Sequence, residues 1–484
     1  MMWSDDQKAL LSTLGWRIQN TSAENKKKQD YYAGKAPIKN LSIAVPENMR
    51  GVSPVLGWPS TVVDVIAERL DFQGFTSPVG DDVGEVLDNL CRISSLDLEV
   101  AKAVTDSLVY GVGFLTVTEV DGLPRVTAVD PLAASFLWDD EGEHVRAGMV
   151  RREDRQGKQL RTLYLPDETL TEVMDGSGAI VVESHRHDRG VAGLVPILNR
   201  VRSGRARGHS EITEAVRYAT DNGARTLLGM EYNREIYTAP QRYTEGAYAD
   251  DLGLDSDNPT ELKKAAFKAS MSHFMVVPPT VVDDSAETVI KPTVGQFSSS
   301  PPTPYIEQMR ALTQLIAAEA AIPVHYLGFI TDNPSSADAI RQSEARLVKK
   351  AEMKQRQLSQ VLIRMVAPLM WRISTGESMP SEVRASLDVL WRDPATPTKA
   401  AMADAGTKLA AAGVMPPRSG VLYDMLGISR TDQRRLEADW AKDTSRALVG
   451  DLADRAAKAR AESTAVANLS ETTTQAEWDG DDEG

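Results

Sequence analysis

The longest regular alternation of apolar and polar positions lies in the C-terminal half of the chain. Ile340, Leu347, Ala351, Leu358, Leu362, Met365 and Leu369 recur at spacings of three, four or seven, which is the period of one helical face. Between Ser336 and Ile373 there is no Gly, and the only Pro is Pro368. At ~1.5 Å per residue this predicts a helix roughly 55 Å long, longer than a globular core ordinarily needs. Ser335 is the expected N-cap, with Pro334 before it and Asp338 three residues on. Pro368 removes an internal hydrogen bond, so a kink is expected near the C-terminal end.

A loop running from Pro323 to Ser336, with Asn and Ser at its end, leads into this helix. A shorter helix precedes the loop. Pro302 and Pro304 suit its start, and Ile306, Met309, Leu312, Ile316 and Ala320 mark its face. Further upstream, Ser210 is the expected cap of a third helix, with Glu211 in the first turn and a stripe of Ile212, Val216, Ala219, Leu227 and Met230. It should run to about Tyr237 and stop before Pro240. Gly223 and Gly229 each cost it roughly 1 kcal/mol relative to Ala, so packing must hold it. Residues 239–300 form an insertion between these helices. It contains an acidic turn region (Asp250, Asp251, Asp255, Asp257), a short helix near 259–269, a strand at Phe274–Val277 and another near Val289. Helices flanking an insertion of this size point to a stalk with a small tip.

The N-terminal part begins with an amphipathic helix over 5–32 (Leu10, Leu11, Leu14, Ile18), then a Pro-rich loop, then helices over 58–70 and about 83–110. Gly111-Val112-Gly113 breaks the last of these. Strands are predicted at 114–120, 125–129, 145–151, 160–165, 168–173 and 179–185, several separated by turn signals such as Asp121-Gly122 and Asp175-Gly176. Residues 380–445 are expected to be helical again, with a turn at Trp391-Arg392-Asp393-Pro394 and helices at Lys399–Ala412, Val421–Leu426 and Thr431–Lys442. The last fourteen residues carry six acids and no base, which predicts disorder. The expected fold class is helix-rich α+β with mainly antiparallel strands.

Composition narrows the function classes. A chain of 484 residues suggests two to four modules. Its 42% apolar and 25% charged content is that of a soluble globular protein. No apolar run reaches a membrane-spanning length, and the first residues lack a signal-peptide h-region. The single cysteine, Cys91, excludes an internal disulfide and a Cys-based zinc cluster, and among Leu87, Leu90 and Ile93 it reads as a buried structural thiol. A formal net charge of −15 argues against a tight static grip on nucleic acid. It is compatible with letting nucleic acid pass without sticking.

One local exception is the segment Arg341–Arg356. Arg341, Arg346, Lys349, Lys350, Lys354 and Arg356 stand there against Glu344 and Glu352. This reads either as a solvated face with a Glu352–Arg356 pair, or as a surface for phosphate or an acidic neighbour. Arg200, Arg202, Arg205 and Arg207 likewise read as a solvated loop or as a salt-bridging collar to a neighbouring subunit. His185 and His187 lack further ligands at metal-binding spacing. Gly111-Val112-Gly113 lacks the rest of a dinucleotide fingerprint, and there is no Walker A loop or nucleophile elbow. No catalytic residue, cofactor or metal is expected.

Several short motifs appear in a telling order. They are Tyr31-Tyr32-Ala33-Gly34; Ser60-Thr61-Val62-Val63-Asp64 with Glu68-Arg69-Leu70; Val195-Pro196-Ile197 before Gly208-His209-Ser210-Glu211-Ile212; Ala321-Ile322-Pro323 followed by Asn333-Pro334-Ser335-Ser336-Ala337-Asp338-Ala339-Ile340; and Trp391-Arg392-Asp393. Together they resemble the portal proteins of tailed bacteriophages, in the branch typical of long-tailed phages. The resemblance spans about residues 5–445 and rests on order and spacing rather than on a catalytic signature.

The resemblance implies a portal-type fold with wing, stem, clip and crown regions around a central channel. It implies a homo-oligomeric ring, usually dodecameric, at one capsid vertex of the virion, assembled in the host cytoplasm without a membrane. Carried onto this chain, residues 1–200 are the expected wing, 201–238 the first stem helix, 239–300 the clip and 301–321 the second stem helix. Residues 322–336 are the expected tunnel loop, 337–375 the long kinked helix, 376–445 the wing return and crown, and 446–484 a crown helix or disordered acidic tail. Portals of this family conduct double-stranded DNA in packaging and ejection, dock the terminase large subunit, meet the major capsid protein and seat head–tail adaptors; they are not enzymes. Asn333, Ser335, Ser336, Lys349, Lys350 and Lys354 are then expected at the nucleic-acid channel. Arg200, Arg202, Arg205, Arg207, Arg341 and Arg346 are expected between subunits. Another virion scaffold or connector would be shorter and lack this order of helices. A DNA-processing enzyme would need clustered metal-binding carboxylates, which the sequence does not display.

Overall fold

The computed structural model describes residues 3–36, 54–77, 81–142, 144–153, 156–174, 180–203, 207–238, 242–245, 258–264, 280–283, 288–290, 293–296, 301–328, 337–395 and 399–478. It is a helix-rich α+β fold whose described strand pairings are all antiparallel. The chain divides into two units, Met1–Ala395 and Thr396–Gly484.

The first unit opens with α1 (Asp5–Tyr32), at the predicted boundaries. A capping box starts it: Ser4 Oγ accepts from the Gln7 N–H at 3.2 Å, and Gln7 Oε1 accepts from the Ser4 N–H at 2.9 Å. Its apolar face lays Leu11, Leu14 and Ile18 on Ala147, Met149, Leu163, Leu170 and Val182. Those residues belong to a five-stranded meander, β4 (Ala134–Trp138), β5 (Val145–Glu153), β6 (Gln159–Tyr164), β7 (Glu168–Met174) and β8 (Ile180–Arg186). Phe136, Val150 and Tyr164 leave the opposite face of this sheet and join Phe114 and Leu194 of a three-stranded sheet. That sheet is built from β2 (Val112–Val120), β3 (Leu123–Val129) and β9 (Leu194–Leu198), with β2 in the middle.

All six strands predicted between residues 114 and 185 are present. Outside the insertion at 239–300, four others are not legible in the sequence: β4, β9, β1 (Phe72–Thr76) and β14 (Asp388–Trp391). β14 pairs with β1, and the Phe72 and Trp391 rings meet edge-on at 5.8 Å. Trp391 therefore ends a strand in a region expected to be helical. A strand of four residues owes its conformation to a distant partner, which local periodicity does not encode.

The predicted helix over 58–70 is α2 (Trp58–Ala67). The one expected over 83–110 is two, α3 (Asp81–Ile93) and α4 (Leu96–Tyr110). Ser95 takes a left-handed conformation (φ 48°) between them, and the buried Ser94 hydroxyl donates to Pro124 O at 2.8 Å. Gly111 (φ 95°) ends α4 as expected.

The helix expected to be capped by Ser210 is α5 (Glu214–Thr238), which starts three residues later. Its N-cap is Thr213, whose Oγ1 accepts from the Val216 N–H at 3.3 Å. Ser210 is buried instead, donating to Val109 O at 2.5 Å and accepting from the Ile212 N–H at 2.9 Å. α5 runs antiparallel to α6 (Thr303–Ala320): Gly229 lies against Tyr305, while Lys350 links Glu211 to Ala320. Gly223 earns its place by packing, since a Cβ there would sit 2.5 Å from Trp58 Cζ3. Between α5 and α6, β10 (Arg242–Glu245) pairs with β13 (Thr293–Gln296), and β11 (Thr280–Asp283) with β12 (Thr288–Ile290). The short helix is described over 259–264. The predicted strand Phe274–Val277 lies outside the described residues.

The long helix is α7 (Ala337–Val361), a π turn at Leu362–Val366, and α8 (Ala367–Thr375). The Ala367 N–H donates to Leu362 O, five residues back. The expected kink is thus a widened turn just ahead of Pro368, which has no N–H to give. Leu347, Ala351, Leu358, Leu362, Met365 and Leu369 are buried in the main core, whereas Ile340 is 42% exposed.

The second unit holds α10 (Lys399–Ala411), α11 (Gly420–Met425) and α12 (Arg430–Trp478); α9 is the short Ser381–Ser386 turn before β14. α12 continues through most of the tail expected to be disordered, and residues 479–484 lie outside the described residues. Among the described residues no helix is long and apolar enough to cross a membrane.

Candidate functional site

The segment joining α6 to α7 is framed by two polar clusters. α6 stops at Ala321, which adopts a left-handed conformation (φ 60°), and Pro323 bars continuation. A 3₁₀ turn follows at Val324–Leu327, closed by Gly328 at φ 92°. Asn333, Ser335 and Ser336 lie outside the described residues.

The first cluster centres on Glu211, in the extended stretch before α5. Its side chain is 1% exposed. Lys354 Nζ donates to its Oε1 at 2.7 Å and also to Asn199 Oδ1. Lys350 Nζ donates to its Oε2 at 2.7 Å and to Ala320 O at 2.9 Å. Asn199 Nδ2 adds a bond to Oε1 at 3.1 Å, and Arg200 Nη1 stands 3.9 Å from Oε2. Burial alone would raise the Glu211 carboxyl, but Lys354 and Lys350 outweigh it and hold it at about 2. Burial pulls Lys354 below the usual lysine range, as do Lys350 and Arg200, against the attraction of Glu211.

Residues 346, 350 and 354 stand four apart, so they share one face of α7. Arg346 Nη1 donates to Ala318 O at 3.1 Å and Lys350 to Ala320 O, both free carbonyls of the last turn of α6. Cations there also complement the helix dipole. The basic stripe therefore bolts α7 onto the end of α6 and onto the root of α5.

The second cluster ties the segment's two ends. The Tyr326 hydroxyl donates to Glu344 Oε1 at 2.6 Å and accepts from Arg69 Nη2 at 3.0 Å, while Arg69 stands 3.4 Å from Glu344. Arg69 is 9% and Glu344 16% exposed. Burial, then Glu344, raises the Tyr326 phenol above the usual range despite Arg69.

These placements revise the sequence reading. Lys354 is buried and Lys350 is paired, so neither offers a free charge to a passing ligand in this fold; desolvated lysines need a carboxylate, and Glu211 supplies it. Lys349 is exposed, as are Arg341 and Arg202. Arg346 is exposed but bonded to α6. Arg207 is half-buried and lowered by burial and by Arg17. Arg205 lies outside the described residues. Arg200 and Arg202 border a cleft of about 410 Å³ that also takes in Lys28 and Arg217. Arg356 turns to the Glu352 carbonyl at 3.4 Å, not to its carboxylate. Glu211, Asn199, Arg69, Tyr326 and Glu344 were not anticipated as a set; the repeat at 346, 350 and 354 was the one signal that a shared partner exists.

Elsewhere, His187 Nε2 lies 3.2 Å from Thr169 Oγ1, and burial, Arg189 and His185 lower its imidazole to about 4. Burial pushes the Cys91 thiol up to about 12, with Asp88 and Asp97 adding to it, so it stays protonated. Among the described residues no three His, Cys, Asp or Glu side chains are grouped to hold a metal.

The family model described as "Phage portal protein, SPP1 Gp6-like" matches residues 18–442. The portal protein of Mycobacterium phage L5 is 30% identical over 440 residues, covering 88% of this chain and 87% of the relative. That of Mycobacterium phage D29 is 30% identical over 427 residues, covering 85% and 84%. A chain in the virion of a native gene transfer agent particle aligns over 84% of this chain and 93% of its own length, at 13% identity and a TM-score of 0.45.

Proposed function

Because the chain belongs to the SPP1 Gp6-like family of phage portal proteins, we propose that copies of it close into a homo-oligomeric ring at one capsid vertex of a virion. Double-stranded DNA would pass through that ring in packaging and ejection. The observation that carries this reading is the run α5, insertion, α6, loop, α7, with the described residues at both ends of the loop held by buried and half-buried ion clusters. The chain is thus held on both sides of residues 329–336, as a segment beside a moving polymer would require. The proposed channel groups are Asn333, Ser335, Ser336 and Lys349. Short neutral side chains there would make weak, sequence-blind contacts to phosphates.

A ring needs head-to-tail contacts that close by rotation. Arg202, Arg205, Arg207 and Arg341 are proposed to meet acidic groups of the next copy, with Arg200 and Arg346 partly committed within the chain. Twelve copies at −15 each would carry about −180, a charge that deters static DNA binding within roughly 8 Å at physiological salt. The terminase large subunit, head–tail adaptors and the major capsid protein are the proposed partners, and no chemical reaction is assigned to the chain. Electron microscopy of the purified protein tests the reading. Rings with a central hole are expected, and Arg202→Glu with Arg341→Glu should reduce them; a protein that stays monomeric at high concentration would refute it.

A further inference from the structure

A second cleft, of about 500 Å³, opens between α1 and the five-stranded sheet. Trp3, Leu11, Gly15 and Trp16 line one side, and Arg151, Arg161 and Glu172 the other. The strand register places Arg151 opposite Arg161 and Arg161 opposite Glu172, so one row across β5, β6 and β7 holds two guanidiniums and one carboxylate. The carboxylate is fully used: Arg161 Nη2 pairs with one oxygen and Trp3 Nε1 donates to the other at 2.9 Å. Arg151 is left over. Its Nε is buried without an acceptor, and a like charge directly across the ladder is unfavourable.

The surroundings are built around that residue. A Cβ at Gly15 would sit 2.8 Å from Arg151 Nη2, so the glycine in mid-helix leaves room for the guanidinium beneath α1. Trp16 is 63% exposed beside it. A cation lacking its anion, walled by indoles, suits a carboxylate carried next to an apolar side chain. We propose that this cleft binds an acidic peptide segment of a partner protein, one carboxylate on Arg151 and a neighbouring apolar side chain on Trp16. A duplex would need an extended basic surface, whereas this cleft is small, its other guanidinium already paired, on a chain of net charge −15.

The test uses the purified full chain and a fluorescein-labelled Leu-Glu-Glu-Leu peptide, read by fluorescence polarisation. Saturable binding is expected, with Arg151→Gln weakening it about tenfold, the worth of one charge-assisted hydrogen bond. Gly15→Ala should weaken it too, by displacing the Arg151 tip while raising the helix propensity of α1. The second variant keeps the result interpretable if the first folds poorly. Absence of binding, equal binding of Leu-Gln-Gln-Leu, or indifference to Gly15→Ala would overturn the proposal. So would a labelled DNA duplex that binds with the same dependence on Arg151.

Discussion

Glu211 sets the charge balance where α5, α6 and α7 meet. Replacing it strands the buried Lys354 and the half-buried Lys350, so Glu211→Gln should lower the unfolding free energy by about 3 kcal/mol in denaturant melts at neutral pH. Its carboxyl is held at about 2 against an ordinary 4.5. The folded value is the lower one, so the stabilisation is complete above pH 4.5 and is lost as pH falls through about 2; the gap between wild type and variant should narrow over that window. Asp106 has the opposite sign. Burial, then Asp130, pushes its carboxyl up to about 7 from 3.8. Ionising it burdens the fold increasingly as pH rises from 3.8 to about 7, so Asp106→Asn should raise the melting temperature above that range and leave it unchanged below pH 3.8. The lysine stripe at 350 and 354 was legible from its spacing. Its partner was not, because Glu211 lies 139 and 143 residues away in the chain.

At the scale of elements, helices with long apolar stripes were legible nearly to their ends, as α1, α6 and the α7–α8 run illustrate. Burial of one face dictates a 3.6-residue period, which survives in the sequence. Breaks and starts set by tertiary contacts were not: the interruption at Ser95 depends on Pro124, and the start of α5 depends on Ser210 being drawn to Val109. Glycines within α5 sharpen the contrast. Helix propensity alone predicts that Gly223→Ala stabilises by about 1 kcal/mol. With Trp58 Cζ3 at 2.5 Å from the new Cβ, a loss of about 1–3 kcal/mol is expected instead in thermal or denaturant unfolding. Gly229→Ala should be milder, because Tyr305 Cε1 at 3.1 Å needs to shift only slightly.

For the whole molecule, fold and channel roles can be separated by two lysines on one helix. Lys354→Ala leaves Glu211 short of a partner and should destabilise the chain by about 3 kcal/mol. Exposed Lys349→Ala should change stability by no more than about 0.5 kcal/mol. If Lys349 faces passing DNA, its variant will form rings yet package less DNA per particle; full packaging would remove it from the channel. By itself the sequence determined the helix-rich α+β class, the succession of long helices around an insertion, and the family resemblance, because periodicity, prolines and motif order are local or linear properties. Only the tertiary structure decided which charges are free and which are spent. A lysine's role depends on what desolvates it and on which carboxylate lies within 3 Å, and that carboxylate comes from a distant part of the sequence.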